Sequence, residues 1–489
     1  MSNVASSQDS PGRTPKAEAK AEAAAASCLL AHDAAADARI RRKLDTHMMP
    51  VLFALYMLAF LDRGNIGNAQ VAGMGKALRL SSSEYAWLAT VFYITYIVFE
   101  CALLLWKVFP PHYVGAAVVF GWGLMGAAQA AAQNWGDMLA IRFLLGAFEA
   151  AYAPGIIYLL SFFYLRHEVG FRCGLFASAA PLASTFAGAL AYGITHTNSR
   201  IASWRLLFLV EGLATVVMAP VAYLFIPDSP DKARFLTPQE KRIVKARAMR
   251  QVGTEPSLRL GGLDGKELVL TLLDYKAWFV ALMYFAANVS YASLPVYLPM
   301  ILRAMGYSSV NAQGLSAPPY LVAFLSALMT TYVADGTQQR GLMLAATSLV
   351  GGIGYVLLAT VETLAVRYFA VFLAAAGVFS TIPNILSWTL NNQGSDTRRG
   401  ASLVLINVVG QCGAVMSSRI YPNEEGPRYV KGHSVCAAFM FFAVILALVL
   451  RCLLVWDNNR LAQKQQDAGE TEAEMVGVEN YGPGFRYVL

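Results

Sequence analysis

Long apolar stretches alternate with short polar segments along most of this chain. Twelve such stretches lie between Met48 and Trp456, in two sets of six separated by one charged segment at about 227–276. Each stretch is long enough for a helix of about 20 residues, which crosses a hydrocarbon layer of roughly 30 Å. None alternates with the two-residue period of a membrane-spanning β-strand. The pattern predicts an all-α membrane protein with twelve transmembrane helices in two pseudo-symmetric six-helix bundles.

The predicted spans and the division of the chain follow from these stretches. The spans cover residues 48–68, 85–106, 113–132, 138–163, 172–193, 204–226, 278–300, 314–334, 342–361, 366–390, 400–420 and 434–456. We expect a disordered cytosolic N-terminal tail (1–47), an N-terminal bundle (48–226), a cytosolic central loop (227–277), a C-terminal bundle (278–456) and a cytosolic C-terminal tail (457–489).

Composition excludes a soluble domain with a polar surface. Hydrophobic residues make up 56% of the 489 residues and charged residues only 14%, and the mean hydropathy is +0.47. For most of a chain with this balance the solvent is lipid.

The distribution of Lys and Arg gives the expected orientation. With the basic N-terminal tail in the cytosol, 26 of the 38 Lys and Arg residues fall in the tails and cytosolic loops or within two residues of them, against nine in or beside the opposite loops. The positive-inside rule therefore predicts that both termini are cytosolic. The net charge of +7 is mostly this bias, so we interpret the basic central loop as a topology signal beside anionic lipid and not as a nucleic-acid site. The first 47 residues have no apolar h-region, so no cleavable signal peptide is expected.

Enzyme and metal motifs do not occur in the sequence. There is no HExxH, GxSxG or P-loop pattern, and the six histidines are scattered in loops and tails. The six cysteines form no CxxC pair and mostly lie in or beside apolar stretches, where a thiol behaves as a small hydrophobe. We expect no enzyme activity, no metal site, no disulfide framework and no cofactor.

Charged side chains inside the apolar spans are the first candidates for function, because an ionised group in hydrocarbon normally faces a partner or a wet cavity. The first span carries Asp62, Arg63 and Asn65 in a glycine-rich patch some four turns from its cytosolic end. We interpret Arg63 and Asn65 as substrate-binding and Asp62 as proton-coupling, and an interfacial helix end is the alternative. Glu100, near the cytosolic end of the second span, either faces substrate or reaches the headgroups.

The fourth span combines a cation and an acid on one face. Arg142 and Glu149 are seven residues apart, which is two helical turns, and Gly146 between them lets another helix approach closely. Arg142 is a candidate for binding a substrate anion and Glu149 for carrying a proton, whereas a structural ion pair is the alternative. Glu211 in the sixth span is a further proton-coupling candidate. Because the C-terminal half has no comparable acid, ion coupling is expected in the N-terminal half.

Polar groups of the C-terminal spans are neutral, and charges recur at span ends. Asn288, Tyr291, Asn384 and Trp388 are candidates for binding substrate, although the aromatic residues are also consistent with ordinary packing. Candidates for gating lie in loops expected on the cytosolic side: Arg166, Arg172, Asp335 and Arg340. Such charges either lock helix ends together in one conformation or are plain solvated loop residues.

Several strings around these residues resemble a known family. The first-span string 61–69, Leu-Asp-Arg-Gly-Asn-Ile-Gly-Asn-Ala, is similar to the first-helix signature of the anion:cation symporters of the major facilitator superfamily, in their fungal allantoate and nicotinate permease branch. Further strings similar to that branch follow in the expected order: Arg142-Phe143-Leu144-Leu145-Gly146, Phe148-Glu149-Ala150, Pro154-Gly155, Trp204-Arg205, Glu211-Gly212, Pro227-Asp228-Ser229-Pro230, Phe235-Leu236-Thr237, Leu273-Asp274, Leu298-Pro299, Gly306-Tyr307-Ser308, Pro318-Pro319-Tyr320, Asn391-Asn392, Arg398-Arg399 and Pro427-Arg428-Tyr429. The resemblance covers roughly residues 45–460, and the ordered set is far more specific than any one string.

The resemblance implies the superfamily's fold and a function. It implies proton-driven uptake of a small organic anion, chiefly a carboxylate such as allantoate, nicotinate or pantothenate, at the plasma membrane. We expect alternating access between the halves, with Arg142 or Arg63 attracting the carboxylate and Glu149 or Asp62 carrying the proton. The expected partners are the substrate, protons and the bilayer, and the expected state is a monomer. An exporter of a secondary metabolite or drug is the main alternative, and a nutrient sensor is disfavoured because both tails are short.

Overall fold

The computed structural model describes residues 34–196, 199–252, 265–393, 396–467 and 486–489. Every regular element in these ranges is a helix, and twelve spans are long and apolar enough to cross a membrane. We label these spans α1 to α12. They are Ala35–Val71 (α1), Ser82–Leu104 (α2), Pro111–Ala131 (α3), Trp135–Phe163 (α4), Glu168–His196 (α5), Ser203–Phe225 (α6), Tyr275–Ala304 (α7), Val310–Thr337 (α8), Arg340–Thr360 (α9), Leu364–Asn392 (α10), Arg398–Ser417 (α11) and Val430–Gln463 (α12). The predicted all-helical class and the number of spans are confirmed.

Several spans contain internal breaks or prolines. The last turns of α2, at Glu100–Leu104, are a 3-10 helix, and α4 is interrupted between Trp135–Glu149 and Tyr152–Phe163. In α7, Pro295 and Pro299 each remove a backbone donor from the helical ladder. These breaks occur in spans that face the centre of the molecule, where neighbouring helices satisfy the freed backbone groups.

The spans form two halves, α1–α6 and α7–α12, that meet along matching helices. Between the halves, α2 packs against α11 and α5 packs against α8, while α1 packs against α7. By position in the two halves, α2 corresponds to α8 and α5 corresponds to α11. The pair of α2 with α11 is therefore equivalent to the pair of α8 with α5, as expected for two repeats related by a pseudo-two-fold axis. The interface thus places α1, α2, α5, α7, α8 and α11 around the centre of the molecule.

Small residues allow close helix packing inside each half. A methyl group on Gly146 of α4 would lie 2.6 Å from the carbonyl oxygen of Phe92 in α2, so only glycine fits there. This is the close approach that the sequence predicted at Gly146. Large apolar side chains on the outer surface remain exposed, including Val217, Met329 and Tyr332, each about 70% exposed. Such side chains suit contact with lipid tails.

The polar segments are more ordered than the sequence suggested. The prediction of a disordered tail over residues 1–47 is wrong for residues 34–47, which belong to the same helix as α1. Ile40 and Leu44, one turn apart, are fully buried there, so this end of the helix is amphipathic. Residues 1–33 lie outside the described part of the chain.

The central loop contains two helices, Pro238–Val252 and Gly265–Leu273. The first is tied to the N-terminal half, because Lys43 of α1 donates to Glu240 over 2.7 Å. That hydrogen bond and the one from the backbone N–H of Thr237 hold the pKa of Glu240 at about 2. A second contact joins Arg247 to Glu168 of α5 over 2.6 Å. These contacts fix the loop helix against the ends of α1 and α5.

Candidate substrate cavity and gates

A small cavity lies between the two halves. It is lined by Phe60, Arg63, Gly64, Tyr93, Tyr291, Ala292, Pro295 and Val296. A second small space shares Phe60, Gly64 and Pro295 with the first and extends to Ser184 of α5 and Tyr320 of α8. The lining therefore comes from α1, α2 and α5 of one half and from α7 and α8 of the other. A site of this kind changes shape whenever the halves move against each other.

Arg63 supplies the cationic group in the wall of the cavity. Its Nε and Nη2 donate to Oε1 of Glu149 over 3.0 and 2.6 Å. The guanidinium also lies over the rings of Phe92 and Tyr96, 5.3 and 5.0 Å from their centroids. The pair is almost completely shielded from solvent, because the side chains of Arg63 and Glu149 are 12% and 2% exposed. Oε2 of Glu149 has no hydrogen-bond partner among the described residues.

Arg142 lies near this pair without a hydrogen bond to it. It is buried on the same face of α4 as Glu149, and its guanidinium is 5.7 Å from the ring of Phe92. Nε and Nη1 of Arg142 have no hydrogen-bond partner among the described residues. The alternative of a structural ion pair between Arg142 and Glu149 is therefore wrong, since Glu149 pairs with Arg63 of another helix.

Asp62 and Glu211 lie inside the N-terminal half, away from the cavity lining. Oδ2 of Asp62 accepts a hydrogen bond of 2.9 Å from Thr215 of α6. Neither carboxyl oxygen of Glu211 has a partner among the described residues, although the side chain is buried. The alternative that Asp62 and Arg63 form an interfacial helix end is wrong, because both lie within the packed interior of the half. Asn65 is fully buried on the same helix, and no described group bonds its amide.

Glu100 is buried at the 3-10 end of α2. Its exposed fraction is zero, and neither carboxyl oxygen has a partner among the described residues. The alternative that its carboxylate reaches the headgroups is therefore wrong. It is a further buried acid on the side of the cavity that Arg63 occupies.

The four candidates from the C-terminal half are in different places. Only Tyr291 lines the cavity. Asn288 donates to the carbonyl oxygen of Gly410 over 2.9 Å and so joins α7 to α11. Asn384 donates to the carbonyl oxygen of Ser380 within its own helix. Trp388, near the end of α10, donates to the backbone carbonyl oxygen of Val488. The expectation that Trp388 lines the substrate site is therefore wrong.

Sequence reasoning missed the aromatic wall of the cavity. The ring of Phe60 lies 5.5 Å from Tyr291 and 6.1 Å from Phe379, and Tyr291 lies 4.8 Å from Phe379. Tyr93 closes the side next to Arg63. A signal for Phe60 was available, since residues three apart share a helix face and Phe60 stands three positions before Arg63.

One end of the cavity is closed at the face where α1 begins and α12 ends, which we call the terminal face. Arg340 of α9 bonds Asp335 of α8 within the C-terminal half. Gly170 of α5 packs on this pair so closely that any added side-chain carbon would overlap Arg340. In addition, Ser387 of α10 donates to the carbonyl oxygen of Gly170 over 2.9 Å. These contacts join the two halves, and we call them the terminal gate.

The other two gating candidates act within the N-terminal half or are not described. Nε and Nη2 of Arg172 donate to the two carboxyl oxygens of Asp45 over 2.9 and 2.6 Å. This bidentate contact joins α5 to α1 and does not cross to the C-terminal half. The side chain of Arg166 lies outside the described part of the structure.

Contacts between the halves also close the cavity at the opposite face. Thr90 of α2 bonds Ser418, next to the end of α11, over 2.7 Å. Thr195 of α5 donates to Gln313 of α8 over 3.2 Å, and Gln313 donates to the carbonyl oxygen of Asn68 over 3.3 Å. We call these contacts the opposite gate. With both gates closed, the structure is an occluded state.

Twelve apolar spans in two matching halves, with a central cavity and contacts between the halves at each face, are typical of a membrane transporter. Residues 52–418 match the family model described as Major Facilitator Superfamily. The chain belongs to the Major Facilitator Superfamily.

Several relatives are similar over most of their length. The chain is 34% identical to "MFS transporter prlL" of Fungal sp. (strain NRRL 50135), covering 86% of this chain and 87% of the relative. It is 32% identical to "MFS-type transporter efuF" of Hormonema carpetanum, covering 86% of each. The "High-affinity nicotinic acid transporter" of Saccharomyces cerevisiae is 26% identical, covering 92% of this chain and 84% of the relative.

A solved structure supports the fold. The proton:xylose symporter XylE, bound to 6-bromo-6-deoxy-D-glucose, aligns with a TM-score of 0.65 at 13% identity, covering 84% of this chain and 96% of that chain. The likeness concerns the architecture of two six-helix halves. The family match indicates a transporter of small molecules and not an enzyme.

Proposed function

We propose that this chain is a proton-coupled importer of small organic carboxylates. The observation that carries the proposal is the pair of Arg63 and Glu149 at the wall of a closed cavity between the halves. A guanidinium matches a carboxylate well, because two of its donors reach the two carboxylate oxygens. This match favours a small organic carboxylate, such as nicotinate or allantoate, as the substrate.

Proton coupling follows because Glu149 and the substrate carboxylate compete for Arg63. In the occluded state Glu149 accepts both of the hydrogen bonds that Arg63 donates to it. A substrate carboxylate that binds Arg63 competes with Glu149, because two anions beside one buried cation repel each other. A proton on Glu149 removes this competition, and loss of the proton restores the ion pair and displaces the substrate. Substrate and proton therefore move together.

Arg142, Asp62 and Glu211 have supporting roles in this proposal. Arg142 provides a second buried cation two turns from Glu149, and its unbonded donors are available to a substrate anion. Asp62 and Glu211 remain candidates for carrying a second proton, because both carboxyl groups are buried without a described cation bonded to them, and no described group bonds Glu211. Asn65, Asn288 and Asn384 stay candidate substrate contacts in conformations where the halves have separated.

The orientation of the protein in the membrane follows from the charge distribution. We assign the terminal face to the cytosol because the segments on that side carry most of the Lys and Arg residues. The opposite face then meets the outside of the plasma membrane, and the opposite gate admits the substrate. The relative named as a nicotinic acid transporter supports a carboxylate substrate, although its identity is only 26%. We propose a monomer as the working unit.

Uptake by cells tests the proposal. The chain is expressed in a yeast strain that lacks its own carboxylate permeases, and labelled allantoate, nicotinate, pantothenate, biotin and short peptides are supplied at acidic and neutral external pH. We expect acid-stimulated accumulation of at least one carboxylate, abolished by a protonophore. Glu149→Gln should lose this acid-stimulated accumulation. Its matched control is Glu362→Gln, because Glu362 lies at the opposite face with its side chain 80% exposed.

Two results would overturn the proposal. One is the absence of carboxylate accumulation by a chain that reaches the plasma membrane. The other is outward flux with little dependence on the proton gradient, which would support the alternative of a metabolite or drug exporter on the same fold.

A further inference from the structure

Residues 486–489 lie against the terminal face of the C-terminal half. Asn458 of α12 forms two hydrogen bonds with the backbone of Tyr487, donating to its carbonyl oxygen over 2.9 Å and accepting from its N–H over 2.8 Å. Asn392 at the end of α10 does the same with Val488, over 3.1 and 2.9 Å. Each amide side chain thus donates one hydrogen bond to the backbone of one residue and accepts one from it, as a neighbouring β-strand does.

Further contacts fix both ends of the segment. Nε1 of Trp388 donates to the carbonyl oxygen of Val488 over 2.7 Å, and the backbone N–H of Gly341 donates to the carbonyl oxygen of Leu489 over 3.1 Å. The side chain of Tyr487 is only 7% exposed, and Nζ of Lys276 lies 4.7 Å from the centre of its ring. The groove therefore uses groups of α7, α9, α10 and α12.

We propose that this groove is a peptide-binding site, that residues 486–489 are its occupant, and that the docked segment retards opening of the terminal gate. The hydrogen bonds described above all go to the backbone of the segment, so the site recognises an extended peptide in one register. The segment is tethered to α12 through residues 468–485. Because the tether is short, the effective concentration of the segment at the groove is about mM. Weak contacts are therefore enough to keep the groove occupied.

The effect on the gate follows from the neighbours of the contacting residues. Gly341 directly follows Arg340, and Trp388 directly follows Ser387, and both Arg340 and Ser387 contact Gly170 across the gate. The docked segment links the ends of α9, α10 and α12, and so holds these two gate residues in the positions that meet α5. This inference rests on alternating access and not on the nature of the substrate.

Alkylation of a cysteine in the gate tests the inference without any substrate. Ser387 is fully buried in the occluded state, so Ser387→Cys reacts with a maleimide only when the terminal gate opens. The background carries serine at Cys28, Cys101, Cys412 and Cys452, and the buried Cys173 and Cys436 are kept. Membranes with the terminal face accessible are compared for the full chain, for a chain without residues 486–489, and for the double variant Asn392→Leu/Asn458→Leu.

We expect both altered chains to react at least about fivefold faster than the full chain, because a factor of about five corresponds to one net hydrogen bond of roughly 1 kcal/mol. A synthetic peptide of residues 483–489, added at mM concentration, should restore slow alkylation in the shortened chain but not in the double variant. Thermal stability in detergent shows that each chain is folded.

Unchanged alkylation rates in folded, altered chains would refute the role in the gate. Failure of a fluorescent 483–489 peptide to bind the shortened chain at mM concentration would refute the site itself. Neither result would bear on the carboxylate substrate, because neither assay contains one.

Discussion

Replacing Glu149 by glutamine separates substrate binding from proton coupling. In the occluded structure Oε1 of Glu149 accepts two charge-assisted hydrogen bonds from Arg63, and a substrate carboxylate has to displace this acceptor. The substituted glutamine keeps the shape of the side chain and an acceptor oxygen, but it is neutral at every pH. The variant therefore resembles the protonated carrier, in which Arg63 is free to bind the substrate.

The size of the effect follows from the charge that the substitution removes. Arg63 still donates charge-assisted hydrogen bonds to the oxygen of a glutamine, so the variant loses only the attraction between two full charges. Two unit charges about 4 Å apart attract each other by about 4 kcal/mol at an effective dielectric constant of about 20, which is the upper limit of this loss. At neutral pH we expect the substrate anion to bind at least about tenfold tighter, which corresponds to about 1.4 kcal/mol.

Proteoliposomes provide the assay once uptake has identified a substrate. We expect Glu149→Gln to exchange labelled for unlabelled substrate at all pH values, and to lose accumulation driven by a proton gradient. Glu149→Asp, which stays titratable, should keep a pH-dependent response. Gradient-driven accumulation by Glu149→Gln would show that another group carries the proton. Weaker binding at every pH would show that Glu149 contacts the substrate or maintains the structure of the site.

Three further substitutions test the fold and the gate. Gly170→Val should hold the terminal gate open because its side chain overlaps Arg340, and alkylation of a gate cysteine as slow as in the parent would contradict this. Gly146→Leu overpacks a helix contact, which typically costs about 1–3 kcal/mol, so we expect a lower melting temperature in detergent and count an unchanged value as refutation. Glu240 has its pKa lowered to about 2, chiefly by Lys43, so its stabilising contribution is fully present above the ordinary carboxyl pKa of 4.5 and is lost progressively as pH falls from there through about 2. Limited proteolysis of the loop helix should therefore be as slow at pH 5 as at pH 7. Glu240→Gln should accelerate the proteolysis at both pH values. Faster proteolysis of the unaltered chain at pH 5 would contradict the assignment.

The fold was predictable from sequence because lipid imposes a single simple rule on spans. Each must be apolar over about 20 residues, so counting apolar stretches gives the number of helices. The ends were harder to predict, since helices continue into water where amphipathic packing supports them. Ile40 and Leu44 show this, because burial of one stripe extends α1 well before Met48. A window that scores only hydropathy does not detect such a stripe.

The pairing of site residues was less predictable, because it depends on contacts between distant helices. The seven-residue spacing correctly placed Arg142 and Glu149 on one face, yet Glu149 bonds Arg63, which is 86 positions away. Asp62 and Arg63 are neighbours in sequence, but consecutive helical residues point about 100° apart. Their side chains therefore contact different neighbours. Trp388 similarly bonds a residue 100 positions later, and no local pattern indicates that partner.

The two gates differ in the contacts that an opening movement breaks. Opening the opposite gate breaks hydrogen bonds between the halves, such as those of Thr90 with Ser418 and Thr195 with Gln313, each contributing about 1 kcal/mol. Opening the terminal gate breaks the hydrogen bond from Ser387 to Gly170 and separates Gly170 from Arg340, whose partner Asp335 lies in the same half. The docked segment at residues 486–489, as we propose, adds resistance at the terminal gate alone. With the segment docked, we expect an empty carrier to open more readily at the opposite face, as the proposed importer requires, and protonation and substrate binding at Arg63 then make opening at the terminal face competitive.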